Sequence, residues 1–178
     1  MRFFFYFILT LFIIILQTTF LPKFQWFDKC FDLTIITIIY LSISFSNYSL
    51  TFFIILIGCL LDSMSGHPFF YYTFSYLWIF FIVQIMRKIV FSRSIIFILI
   101  ISLSSVLIEH FLLILLSLVS YGKEGLLNID YILMLSQLIN GIIFIPPLLW
   151  FVNTIFELWM LSYNSMKKRI LIKIKDDY

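Results

Sequence analysis

The chain has 178 residues, of which 63% are apolar and only 12% are charged, with a formal net charge of +3. Its mean hydropathy is +1.11. A soluble domain carries roughly a quarter charged residues, so this composition excludes an ordinary soluble enzyme or nucleic-acid-binding domain and indicates a membrane protein. The sequence contains 5 Gly and no Ala, and close helix contacts must therefore rest on Ser, Thr and the few Gly.

The first apolar segment follows Arg2 and covers residues 3–21, with Gln17 one turn before its end. It is too long for a secretory signal and lacks a small-residue cleavage site, which predicts a retained helix. A loop at 22–30 leads to Asp32, which opens a run of 30 residues interrupted near its middle by polar residues 46–49. One helix of that length would be ~45 Å long, against ~30 Å of hydrocarbon, so we expect a short helical hairpin that crosses the membrane or re-enters it.

The stretch 58–68, GCLLDSMSGHP, is the most polar break between apolar segments. Asp62 closes the third segment, and a polar turn is predicted over Ser63, Ser65, Gly66, His67 and Pro68. Glycine tolerates a positive φ and proline fits a first helical turn, so these residues should end one helix and start the next.

Three further segments follow, at 69–86, 95–119 and 131–160, the last interrupted by Pro146 and Pro147 and therefore expected to kink. With six crossings and a cytoplasmic N-terminus, 9 of the 12 cations lie inside; five crossings with an outside N-terminus put 10 inside. Both topologies stay open. Both place the C-terminus in the cytoplasm and the Asp62 turn outside. We expect one transmembrane domain over 1–163 and a basic cytoplasmic tail over 164–178 that holds anionic lipid.

Ionisable and amide groups inside the apolar segments are candidates for function, because each needs a partner or water. Ser102, Ser105 and Glu109 share one helical face, which should point into the bundle. Glu109 is either a functional group or a protonated acid bonded to a neighbouring helix. Asn140 and Gly141 follow Gln137 at helical spacing and build either a recess or a packing notch.

The sequence offers no pattern of chemistry-bearing residues. Ser63 stands where a Gly-x-Ser-Gly nucleophile motif needs glycine, and Cys30 and Cys59 form no metal motif. Phosphate-cradling glycine loops and clustered metal ligands do not occur either. We therefore expect no catalytic residue, no metal and no cofactor, and two free thiols.

In their order along the chain, these features resemble the bacterial rod shape-determining MreD family over nearly the whole length. The resemblance rests on Leu16-Gln17, Asp32, Gly58 with Leu60-Leu61-Asp62, Ser65-Gly66, Pro68, Asn140-Gly141, Pro146 and the basic tail. The chain departs from the family in two places. Phe31 stands where a proline is common, and Phe69-Phe70 replaces a usual glycine.

The resemblance implies a non-enzymatic, multi-pass subunit of the bacterial inner membrane that belongs to the cell-elongation machinery. Such proteins bind MreC and connect to MreB, RodA and the partner transpeptidase of RodA; self-association stays open. The implied fold is an all-α bundle of about six transmembrane helices, similar to the substrate-binding subunits of energy-coupling-factor transporters. We expect the Asp62 turn and neighbouring helix faces to form the MreC contact.

Two alternatives remain open from the sequence. The first is a vitamin-binding transporter subunit, in which Glu109, Gln137 and Asn140 would line the pocket. The second is a generic membrane packing protein.

Overall fold

The computed structural model of the chain describes residues 2–20, 32–45, 48–66, 70–89, 94–127 and 130–176. In these ranges the regular structure is helical throughout, without a strand. The elements are α1 (Arg2–Ile15) with a π-helical turn (Leu16–Phe20), α2 (Thr34–Ser44), α3 (Tyr48–Ser65), α4 (Tyr71–Ile89), α5 (Ile95–Leu127) and α6 (Tyr131–Asp176).

Two stretches, Ile95–Ser120 in α5 and Tyr131–Tyr163 in α6, are long and apolar enough to cross a membrane. The apolar stretches Tyr6–Thr19, Thr34–Ser44 and Leu50–Ser65 are shorter. The expected division of residues 32–61 into two helices is confirmed, since α2 and α3 are separate.

Helix α2 lies at the centre of the fold. Nine consecutive residues of its 11, from Thr34 to Ser42, are buried. The helix packs mainly on α4 and also contacts α1, α6 and α3. At about 16 Å it is much shorter than the ~30 Å of a bilayer core, so it cannot reach both surfaces alone. Helices α1, α3, α4 and α6 surround it.

Helices α3, α4, α5 and α6 pack in sequence order, each on the next. Two glycines allow the close contacts. A Cβ atom on Gly58 would lie 2.5 Å from the Thr73 Cα, and one on Gly141 would lie 2.6 Å from the Val106 Cγ2. The few glycines and a threonine thus provide the close approaches that alanine provides elsewhere.

The ends of three helices differ from the sequence prediction. Helix α3 ends at Ser65, directly before Gly66, whose φ is +69°. Asp62 lies in its last turn, as expected, but Ser63 and Ser65 belong to the helix and not to the predicted turn. Pro68 and the loop 22–30 lie outside the described residues. Non-helical dihedral angles at Gly122 interrupt α5. Helix α6 passes through Pro146 and Pro147 and runs on beyond residue 163 to Asp176.

The C-terminal end of α2 is satisfied by side chains of α4. The Gln84 Nε2 donates to the carbonyl oxygens of Ser42 (3.0 Å) and Phe45 (2.9 Å). The Arg87 Nη1 donates to the carbonyl oxygen of Ile43 (3.0 Å). These carbonyls have no partner within the helix, so the two side chains provide the donors that the end of the helix lacks.

Arg87→Ala should therefore destabilise the protein by roughly 1.5 kcal/mol, because a charged donor to the Ile43 carbonyl is lost. The matched control is Lys88→Ala, which removes a neighbouring but exposed cation. It should change stability by less than about 0.5 kcal/mol. Unfolding of the detergent-purified variants measures both, and equal losses would show that Arg87 acts only as a charge.

A buried carboxyl cluster as the candidate functional site

Asp32 lies just before α2 and is 9% exposed. Its carboxylate accepts hydrogen bonds from the Thr34 backbone N–H (2.8 Å) and from the Tyr76 hydroxyl of α4. It also stands at the amino-terminal end of α2, where unpaired N–H groups favour a negative charge. One side chain thus joins the start of α2 to the second turn of α4.

Gln17 connects α1 to the same place. Its Oε1 accepts hydrogen bonds from the Thr34 hydroxyl (3.0 Å) and the Thr34 backbone N–H (3.3 Å). The amide lies in the π-helical turn at the end of α1. Gln17 was predicted one turn before the end of the first helix. From there its amide reaches Thr34, the first residue of α2.

Glu109 completes the group from α5. It is 5% exposed, and its carboxyl is hydrogen-bonded to that of Asp32. Ser102 and Ser105 are buried on the same face, and their hydroxyls donate to the carbonyls of Leu99 (2.9 Å) and Ile101 (2.7 Å). The prediction that this face points inward is confirmed. We call Gln17, Asp32, Thr34, Tyr76 and Glu109 the carboxyl cluster.

The tyrosines of α4 are the part of the site that the sequence analysis missed. Tyr76 is a member of the carboxyl cluster, and Tyr71 and Tyr72 are buried on the same helix, with 4.7 Å between their ring centroids. A signal was available, since a tyrosine buried in an apolar helix needs a partner for its hydroxyl. Three of them directly after a polar turn indicate a polar group nearby.

Asp62 forms a second site of buried contacts. It is 6% exposed and accepts hydrogen bonds from the backbone N–H groups of Tyr72 (2.8 Å) and Thr73 (3.2 Å) and from the Thr73 hydroxyl (2.7 Å). These N–H groups belong to the first turn of α4, which has no partner of its own for them. Asp62 therefore caps α4 from the end of α3, and its carboxylate faces the protein.

The remaining predicted residues lie outside the carboxyl cluster, at several separate positions. Gly58 and Gly141 lie at helix contacts, and Ser65 and Gly66 at the end of α3. Gln137 and Asn140 are half-buried on α6, as is Pro146. Pro68 is outside the described residues. His110, on the adjacent face of α5, hydrogen-bonds to the Met134 backbone, and its Nε2 is buried without a partner among the described residues.

Within the described ranges, no three His, Cys, Asp or Glu side chains are grouped closely enough to hold a metal ion, and Cys59 is a free, exposed thiol. The carboxyl cluster is closed off by its own helices, and its groups bond to one another. Such an arrangement can hold a proton and fix helices.

Comparisons with protein-family models, curated proteins and solved structures yield no match to this chain.

Proposed function

We propose that the chain is a non-catalytic, multi-pass scaffold subunit of the bacterial cell-elongation machinery, of the MreD type, that binds MreC in the cytoplasmic membrane. The observation that carries the proposal is the direction of its polar residues. Gln17, Asp32 and Asp62, on which the family resemblance rests, bond to other helices of the same chain. These polar side chains stabilise the bundle and are not available to a partner. A partner protein would therefore bind the outer surface of the bundle.

The outer surface supports a membrane location. Large apolar side chains are exposed along α3, α4, α5 and α6, and water would penalise them. Lipid would also explain why α2 has both ends satisfied by side chains, because unpaired backbone groups are costly there. With six crossings and a cytoplasmic N-terminus, the C-terminal end of α4, which carries Arg87, lies on the cytoplasmic side, as does the C-terminus of the chain. The carboxyl cluster then lies in the outer half of the membrane.

The geometry favours a scaffold over a vitamin-binding subunit. A vitamin pocket lined by Glu109, Gln137 and Asn140 needs these groups to face a common open space. Glu109 instead turns to Asp32 and is 5% exposed. The family resemblance then assigns the partners: MreC directly, and through it MreB, RodA and the partner transpeptidase of RodA.

The MreC contact that we propose is the exposed end of α3. Leu60 and Met64 lie one helical turn apart there and are 42% and 60% exposed. Asp62 lies between them on the buried side. Its replacement would disturb α4 as well as any partner, so the exposed neighbours make the sharper test.

Met64→Lys should reduce the MreC recovered with the tagged chain by roughly tenfold or more, the scale of one interface hot spot. The measurement is co-purification after gentle solubilisation, at equal expression. Lysine near a helix end can extend its ammonium to the membrane surface, so the fold should tolerate it.

The control is Phe52→Lys, at the other end of α3, where the side chain is 71% exposed. This variant should retain MreC. Unchanged recovery with Met64→Lys would refute the contact. If the unmodified chain brought down transport ATPases and a bound vitamin in place of MreC, the scaffold function itself would be wrong.

A further inference from the structure

Asp32 and Glu109 are two carboxyl groups in direct contact inside the protein. They are 9% and 5% exposed, and they come from different parts of the chain, the start of α2 and the middle of α5. Neither forms an ion pair with a cation among the residues that the structure describes. Two ionised carboxylates in such a place repel each other strongly, so a contact of this kind requires a proton between them.

The hydrogen bonds indicate which group carries that proton. Asp32 accepts from the Thr34 N–H and the Tyr76 hydroxyl and stands at a helix N-terminus, all of which stabilise a negative charge. Glu109 has Asp32 as its hydrogen-bond partner. The favoured arrangement is therefore an ionised Asp32 that accepts a hydrogen bond from a neutral Glu109.

We propose that Asp32 and Glu109 bind one proton between them, and that this proton forms a pH-sensitive latch that fastens α5 to the start of α2. When the proton leaves, the hydrogen bond becomes a repulsion between like charges. The contact between α5 and the start of α2 then opens. This inference does not depend on the proposed cellular function.

The surroundings of the latch strengthen this effect. Helix α4 presents Tyr71, Tyr72 and Tyr76, which are neutral, and α1 presents the amide of Gln17. A further acidic group is Asp62 of α3, which interacts with Tyr71 and Tyr72. On α5 itself, His110 turns toward Met134 of α6. A second negative charge would therefore enter a region where the charged groups acting on these tyrosines, among the described residues, are acidic.

The direction of the pH effect follows from proton counting. In the unfolded chain a glutamic acid loses its proton above pH about 4.3, whereas the folded latch keeps it. The folded state then binds one proton more than the unfolded state, and stability falls as pH rises. For one proton the folding equilibrium changes about tenfold per pH unit, until the latch itself opens.

Glu109→Gln tests the latch, because glutamine can donate an N–H to Asp32 but cannot lose a proton. The control is Glu157→Gln, which makes the same change at an exposed residue bonded to Asn153. Unfolding of the three purified proteins in detergent is followed from pH about 5 upward, above the ordinary range for a free glutamic acid.

Wild type and Glu157→Gln should lose stability by up to about tenfold in the folding equilibrium per pH unit, and Glu109→Gln should lack this component. Three parallel pH profiles would overturn the proposal. Infrared spectroscopy provides a second measurement at neutral pH. The carbonyl stretch of an un-ionised carboxylic acid should be present in wild type and Glu157→Gln and missing from Glu109→Gln. Its absence from the wild-type protein would overturn the latch even where Glu109→Gln does not fold.

Discussion

Gly58→Ala should destabilise the protein by roughly 3 kcal/mol, although alanine is the better helix former. The added Cβ would lie 2.5 Å from the Thr73 Cα and 2.9 Å from the Thr73 backbone nitrogen. Backbone atoms of a helix cannot rotate away, so α3 and α4 must separate. The separation also pulls Asp62, one turn further along α3, away from the donors that it caps.

Gly141→Ala is the matched control. Its Cβ would meet the Val106 Cγ2 at 2.6 Å, which is the end of a side chain and not backbone. Val106 is buried and β-branched, so relief requires a change of its rotamer or a small local shift. That costs less than moving a backbone, and we expect a loss of about 1 kcal/mol. Denaturant or thermal unfolding in detergent compares the two variants. Equal losses, or a neutral Gly58→Ala, would show that the α3–α4 contact is looser than the structure has it.

Asp62→Ala should also cost roughly 3 kcal/mol. Three donors would lose their acceptor together: the N–H groups of Tyr72 and Thr73 and the Thr73 hydroxyl. All three are buried, so water cannot replace the carboxylate. We expect α4 to fray at its start and the variant to unfold at a lower denaturant concentration than the wild-type protein.

Asp130→Ala provides the comparison for that prediction. Asp130 caps α6 in the same way, accepting from the N–H groups of Ile132 (3.0 Å) and Leu133 (3.1 Å), but its contacts are exposed. Water can take its place, so the loss should be about 1 kcal/mol. If Asp62→Ala were as mild as Asp130→Ala, the buried cap would contribute no more than an ordinary one.

Local pattern was enough to predict much of the fold. The polar break at 46–49 separates α2 from α3, and α5 begins at Ile95 as expected, because apolar length and polar interruption are properties of a short window. The inward direction of Ser102, Ser105 and Glu109 was also predictable, since helical spacing fixes which residues share a face.

Pairing between distant residues could not be predicted in this way. Asp32 and Glu109 each stand out as acids among apolar residues, but nothing near either one indicates the other. The same holds for Asp62 and Thr73, whose bond depends on the angle at which α4 returns to α3. Arg87 reads from the sequence as a signal of membrane orientation, and its bond to the Ile43 carbonyl follows only from the packing of α4 on α2.

The satisfied end of α2 has a consequence for biosynthesis. The side chains that donate hydrogen bonds to the carbonyls at the end of this helix are translated 39 to 44 residues after them. A nascent chain that has not yet reached Gln84 must leave those carbonyls in contact with water or with the translocation machinery. Helix α2 is therefore second in the order of synthesis but takes its final place only after the fourth helix has emerged.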